Sequence, residues 1–110
     1  MTRRFRWDDW NLAHIAQHRV SRQEAEYVVR NSEPPFPRSA GDEKQLVWGQ
    51  TSSGRYLQVI FIFDDDEYFD YEKASLEDIL LMAANESPPM YVIHARDLSP
   101  SEKHAYRRMR

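Results

Sequence analysis

The chain contains no cysteine, only three glycines and no long apolar run. The lack of cysteine excludes a disulfide framework, a thiolate nucleophile and a thiolate-bound metal. Without an apolar run of about 18 residues, no membrane-spanning helix is expected, and no apolar segment of a secretory signal follows the N-terminal arginines. Glycine-rich phosphate loops and the hydrolase nucleophile elbow are also missing. We expect one cytoplasmic domain covering residues 1–110.

Acidic residues are concentrated in one part of the chain. The stretch Asp64–Glu86 holds nine acids and one base, whereas the remaining residues include nine acids and fourteen bases. The formal net charge of −3 therefore hides a mildly basic body that carries an acidic segment. Such asymmetry bears on partners and association rather than on fold.

Periodicity and capping residues predict two helices in the first third of the chain. The first is capped by Asp8 or Asp9, and its buried side is expected to hold Trp10, Leu12, Ile15 and Ala16. The second begins at an S-x-x-E capping box formed by Ser21 and Glu24. The proline-rich stretch Ser32–Gly41 then predicts an extended connector.

Strands are predicted at residues 45–50, 55–63 and 91–95, followed by a C-terminal helix that begins after Ser99. The acidic residues 64–89 form an insert with a short helix, whose apolar stripe runs from Leu76 to Ala83. The predicted class is α+β. Two N-terminal helices and a C-terminal helix pack on a small antiparallel sheet, and the acidic helical insert lies between two sheet strands.

The last strand and helix carry the residues best suited to chemistry. Alternation places Val92, His94 and Arg96 on one face if the strand reaches Arg96. RNA can be cut without metal when its 2′-hydroxyl attacks the adjacent phosphate, which requires a base, an acid and cations. His94 can be the acid or base, Arg96 and Arg55 can hold the phosphate, and Tyr106 can donate a proton or stack. Alternatively, Arg96 pairs with Asp97 or Glu102 beside a solvated basic helix.

Metal binding has weaker support. His14 and His18 have the i, i+4 spacing of a helical metal pair, but no third ligand is evident. The acidic run DDDEYFDYE lacks the glycine and the terminal glutamate of a calcium loop. We therefore predict no metal and no cofactor.

Three segments resemble the BrnT family of type II toxins. The F-x-W-D string with Asn11, His18, Val20-Ser21 and Glu24-Ala25 is similar to its opening. The segment from Lys44 through Trp48-Gly49, and then Gly54-Arg55-Tyr56-Leu57-x-Val59, is similar to its central hairpin. The end, His94-Ala95-Arg96-Asp97-Leu98-Ser99-Pro100-Ser101-Glu102 followed by Tyr106, resembles the closing family motif, in which a serine stands in place of His94.

The resemblance implies a RelE-like ribonuclease fold and inhibition of translation by metal-independent RNA cleavage. It also implies a BrnA-type antitoxin that covers the toxin and carries it to operator DNA as a complex. Catalytic positions carried over by the resemblance are Arg55, Arg96, Glu102 and Tyr106, to which His94 is added. The candidate RNA-binding residues are Lys44, Lys103, Arg107, Arg108 and Arg110.

Other functions stay open. A toxin fold retained as a non-catalytic module for protein or nucleic acid is one, and a stand-alone domain from a decayed operon is another. The acidic insert is also open to two interpretations. It can fold toward the basic face and compete with RNA, or it can be a solvated extension whose helix pads the sheet.

Overall fold

The computed structural model describes residues 4–64, 75–77 and 88–109. Most of the predicted acidic insert, and Arg110, lie outside these residues, so the two interpretations of the insert stay predictions. The elements of the described part are β1 (Phe5–Arg6), α1 (Asp9–Ala16), α2 (Arg22–Arg30), β2 (Arg38–Ser39), β3 (Gln45–Gln50), β4 (Tyr56–Phe63), β5 (Met90–Asp97) and α3 (Pro100–Arg108).

Reciprocal capping boxes begin all three of these helices. In each, a side chain accepts the backbone N–H three residues on, and that residue's side chain accepts the N–H of the capping residue. The pairs are Asp8 with Asn11, Ser21 with Glu24, and Ser99 with Glu102. Pro100 follows the last cap at a position where its missing N–H costs nothing. The predicted helix starts are thus confirmed.

The five described strands form one mixed sheet in the order β1-β5-β4-β3-β2. The β2–β3, β3–β4 and β4–β5 pairs are antiparallel, but β1 runs parallel to β5. The α+β class is confirmed, whereas the expectation of a purely antiparallel sheet is wrong. β1 can run parallel to β5 because a long connection that includes α1 and α2 separates the two strands along the chain. Part of the predicted connector, Arg38–Ser39, also pairs as the edge strand β2.

A β-bulge in β5 changes which face of the sheet its side chains occupy. Ile60 lies opposite His94 and Phe61 lies opposite Val92, so Ile93 is an extra residue in the register. Cross-strand partners share a face, and Val92 therefore joins Phe61 while His94 joins Ile60 on the other side. The prediction that Val92 shares a face with His94 and Arg96 is wrong, because the bulge interrupts strict alternation.

The two faces of the sheet differ in burial. On the core face, Leu57, Val59 and Phe61 of β4 are completely buried, as are Val92 and Ala95 of β5, whereas Phe63 at the end of β4 is 36% exposed. Helix α2 packs there, and the Val28 side chain approaches so closely that a Cβ on Gly49 would lie 2.9 Å from its Cγ1. The second face carries partly exposed Ile60, His94 and Arg96. The buried residues of α2 are the predicted Ala25, Val28 and Val29.

Helix α1 packs against β5 and reaches both faces. Ile15 lies in the core. Asn11 is fully buried, and its amide accepts a hydrogen bond from the Asp8 backbone N–H and donates one to the Arg6 carbonyl. Trp10 and Leu12 are 57% and 37% exposed and Ala16 is exposed as well, so of the four residues predicted to be buried only Ile15 is. The reason is that α1 lies alongside a strand and has two partly open flanks. No helix in the described part of the chain is long and apolar enough to cross a membrane.

Candidate functional site

A row of aromatic and imidazole rings runs along the α1 side of the second face. Trp10 stacks on His14 with ring centroids 4.9 Å apart. The Trp10 ring centroid also lies 6.3 Å from that of Tyr91. His94 follows, with its ring centroid 6.1 Å from that of His14 and 5.4 Å from that of His18. The imidazoles of His14 on α1 and of His18 in the turn after α1 therefore lie beside that of His94 on β5.

The pKa of His94, in the middle of this row, is lowered by its surroundings. Burial lowers the pKa of its imidazole, and the neighbouring His18, Arg96 and His14 lower that pKa further. The physical reason is that an added positive charge would be poorly solvated and close to other cationic groups. The neutral form, which can accept a proton, is thereby favoured near neutral pH.

Arg96 lies two residues after His94 on the same face. Its guanidinium makes two hydrogen bonds to the Glu102 carboxylate, at 2.7 and 2.9 Å. It also donates to the Asp97 carbonyl at 3.0 Å and to Gln58 Oε1 at 3.3 Å. The Arg96 hydrogen bonds, with those from the Ser99 backbone, lower the pKa of Glu102 to about 2. One of the two pairings considered for Arg96 is therefore observed, that with Glu102.

Arg55 lies at the end of the core face, apart from the pair just described. Its Nε and Nη2 donate to Asp97 at 2.7 and 3.0 Å, and its Nη1 lies 3.2 Å from both Glu24 carboxylate oxygens. The backbone carbonyls of His18 and Arg19 accept further hydrogen bonds at 3.0 and 2.6 Å. Asp97 shares the core face with Leu57, and the sheet separates it from Arg96. The guanidinium fastens the α1–α2 connection to the end of β5.

Tyr106 is only 7% exposed and belongs to an aromatic cluster beneath α3. Its ring centroid lies 6.1 Å from that of Phe36 and 6.0 Å from that of Tyr56. Glu102, on the same helix, serves both Arg96 and the capping box. The predicted catalytic residues thus divide into three places: His94 with Arg96 and Glu102, the buried Tyr106, and the separate Arg55.

The predicted RNA-binding cations are divided in the same way. Lys103 and Arg107 lie over the Tyr56 ring at 5.8 and 5.2 Å, on the second face, and Arg107 donates to the Tyr56 hydroxyl at 3.3 Å. Arg108 is exposed at the end of α3. Lys44 lies just before β3, where its backbone closes a turn with Gly41. Of these cations, Lys103 and Arg107 of α3 lie on the same face of the sheet as Arg96.

Trp10, Tyr91, His14 and His18 were not among the predicted site residues. The sequence did carry a signal, since positions 10, 14 and 18 are four residues apart and fall on one side of a helix. That signal did not indicate which strand the helix side faces. Among the residues that the structure describes, no group of three His, Cys, Asp or Glu side chains could hold a metal ion.

Comparisons with known proteins add no relative. No protein-family model matches this chain, and neither a curated protein nor a solved structure gives a significant match. Function must therefore be inferred from the residues and their geometry.

Proposed function

We propose that this chain is a BrnT-like toxin: a metal-independent endoribonuclease with a RelE-like fold that inhibits translation. Two observations support the proposal. The three segments that resemble the family lie in order along the chain. The mixed sheet, with two helices between β1 and β2 and one after β5, is compatible with such a small α+β fold.

The observation that carries the proposal is the meeting of His94 with two other imidazoles and a guanidinium. Cleavage of RNA by its own 2′-hydroxyl requires one group to remove a proton and another to supply one. His94, held toward its neutral form, takes the proton of the 2′-hydroxyl as the oxygen–phosphorus bond forms. The His18 imidazole, whose ring centroid lies 5.4 Å from that of His94, donates a proton to the 5′-oxygen as the phosphorus–oxygen bond breaks. The products are a 2′,3′-cyclic phosphate and a 5′-hydroxyl.

The remaining residues have binding or positioning roles in this proposal. The exposed indole of Trp10 offers a surface on which an unstacked base can lie. Arg96 provides positive charge for the phosphate, and Glu102 fixes its orientation through two hydrogen bonds. Because the donors of Arg55 are occupied by Asp97, Glu24 and two carbonyls, we assign it to positioning the site.

Cleavage of single-stranded RNA in the presence of EDTA tests the proposal. Wild-type protein should give fragments ending in 2′,3′-cyclic phosphate. His94→Gln should cut on the order of a hundred-fold or more slowly, the usual effect of losing a general base. The matched control is His104→Gln, because His104 is exposed on α3 and absent from the ring row. Equal rates for wild type and His94→Gln, or no EDTA-resistant cleavage by the wild type, would refute it.

A BrnA-type antitoxin is the partner that this proposal requires, and the pair would act in the cytoplasm. The antitoxin would cover the toxin and carry it to operator DNA, which the toxin alone would not bind. Induced expression of the chain should arrest growth, and co-expression of a small protein encoded beside it should relieve the arrest. Growth arrest that persists in His94→Gln cells would separate toxicity from RNA cleavage.

A second function is favoured by the ion pairs of the two arginines. Arg96 is held by Glu102, and Arg55 is held by four protein groups, as expected of residues that stabilise a fold. A non-catalytic module for RNA or protein binding fits this arrangement. It predicts RNA binding by the wild type without cleavage, and His94→Gln would then bind as the wild type does.

A further inference from the structure

A second cluster of arginines lines a pocket of about 430 Å³ between β1 and α2. Its walls include Arg4, Phe5, Arg6, Trp7, Arg22, Glu26 and Arg30, which together are called the arginine pocket. Helix α2 packs on the core face, so this pocket opens on a different side of the molecule from His94. None of its residues belongs to the ribonuclease site proposed above.

The arginine pocket holds more positive than negative charge. Within the described residues, Glu26 is the acid in its wall, and it lies 2.9 Å from Arg30 Nη1 and 3.7 Å from Arg22 Nε. Arg4 and Arg6 add two more guanidiniums to the wall, and that of Arg6 is paired with Asp8 and Asp64. The Glu26 carboxylate cannot neutralise the other three guanidiniums, so the described wall keeps an excess of about two positive charges.

The arrangement of these side chains leaves the cations accessible. The Glu26 side chain is 18% exposed, whereas those of Arg22 and Arg30 are 51% and 43% exposed. Glu26 is also fixed by a hydrogen bond of 3.0 Å from the Trp7 indole. Arg30 lies 5.0 Å over the Phe5 ring, which gives its guanidinium a defined direction. The carboxylate thus orients the arginines and the aromatic rings form an apolar wall.

We propose that the arginine pocket binds a phosphate group. The planar fork of arginine donates paired hydrogen bonds that match phosphate oxygens, and the excess charge matches one or two phosphate charges. The pocket volume lies in the range of small-molecule sites. The phosphate can belong to the backbone of a nucleic-acid strand or to a free phosphate or nucleotide. Neither source requires RNA cleavage, so this proposal stands apart from the ribonuclease activity.

Binding of a fluorescent single-stranded oligothymidylate, measured by anisotropy, tests the proposal. This DNA lacks the 2′-hydroxyl and is not cleaved by the mechanism above. The double variant Arg22→Gln/Arg30→Gln should bind about ten-fold or more weakly, and its salt dependence should fall by roughly 0.7 per lost contact on the log–log plot. Arg4→Gln should weaken binding in the same direction. Arg38→Gln is the matched control, since Arg38 is exposed in β2 at the opposite edge of the sheet.

Competition identifies the source of the phosphate. Displacement of the oligonucleotide by inorganic phosphate or thymidine monophosphate supports a free phosphate or nucleotide, and displacement only by unlabelled oligonucleotide supports a strand backbone. Unchanged binding by the double variant overturns the proposal. So does Arg22- and Arg30-dependent binding of an acidic peptide when the oligonucleotide does not bind. His104→Gln, which lies outside both sites, should bind with wild-type affinity, and the DNA probe has no 2′-hydroxyl to attack its phosphate, which keeps this test separate from that of cleavage.

Discussion

Replacing Glu102 by glutamine removes one negative charge while keeping the shape of the side chain. Glutamine at this position also preserves the capping box, because its amide oxygen can accept the Ser99 N–H. What is lost is the negative charge that faces Arg96 and the acceptor for its Nη2, because an amide nitrogen at the place of Oε2 cannot accept that hydrogen bond. The substitution therefore measures the contribution of the Arg96–Glu102 ion pair to folding.

The size of the effect follows from the pKa of the Glu102 carboxyl, which falls from 4.5 to about 2 in the folded protein. Each pKa unit corresponds to about 1.4 kcal/mol, so this pKa change corresponds to roughly 3 kcal/mol of folding free energy before screening by water is considered. The side chains of Arg96 and Glu102 are 32% and 23% exposed, and water screens part of their attraction. We expect Glu102→Gln to lower the free energy of unfolding by about 1–2 kcal/mol at neutral pH.

The pH dependence gives this prediction a sign. The pKa of Glu102 is lower in the folded protein than in the unfolded chain. Its carboxylate therefore stabilises the fold fully above about pH 4.5. It is lost as the pH falls toward about 2 and both states become protonated. The stability difference between wild type and Glu102→Gln should be constant near neutral pH and should shrink over this acidic window.

Urea denaturation followed by circular dichroism is the assay, repeated across that range of pH. Ser99→Ala is the matched control, because it removes a helix cap worth about 0.5–2 kcal/mol and keeps the charge pair. Its loss of stability should depend less on pH. Equal unfolding free energies for Glu102→Gln and wild type at neutral pH, or a difference that persists at low pH, would refute the reasoning.

Three further predictions concern the fold and the ring row. Gly49→Ala should destabilise by about 1–3 kcal/mol in urea denaturation, because its new methyl would press on Val28 of α2; a neutral result would mean that the helix shifts easily. Asn11→Ala should cost about 1–3 kcal/mol, since a buried side chain with backbone hydrogen bonds is lost. Because the pKa of His94 is lowered in the folded protein, the wild type should lose stability as the pH falls below about 6.5. His94→Gln should reduce that loss. The same acid sensitivity in both proteins would contradict the burial of His94.

Features that depend on neighbouring residues could be predicted from the sequence. Ser21 with Glu24, and Ser99 with Glu102, cap their helices because both partners of each capping box lie three positions apart. The predicted strand covering Tyr56–Phe63 also formed, since its apolar residues suit a sheet covered on at least one face. The pairing of His94 with Arg96 on one face followed from alternation.

Features that join distant segments were decided only by the tertiary structure. The bulge at Ile93 moves Val92 to the core face, and no local residue pattern marks it. His94 meets His14 and His18 because α1 lies beside β5, a choice made by the burial of Ile15 and Asn11. The caps and periods of the sequence thus determined which elements form. The packing of those elements decided which charged and ring side chains meet, because such contacts depend on three-dimensional burial and not on spacing along the chain.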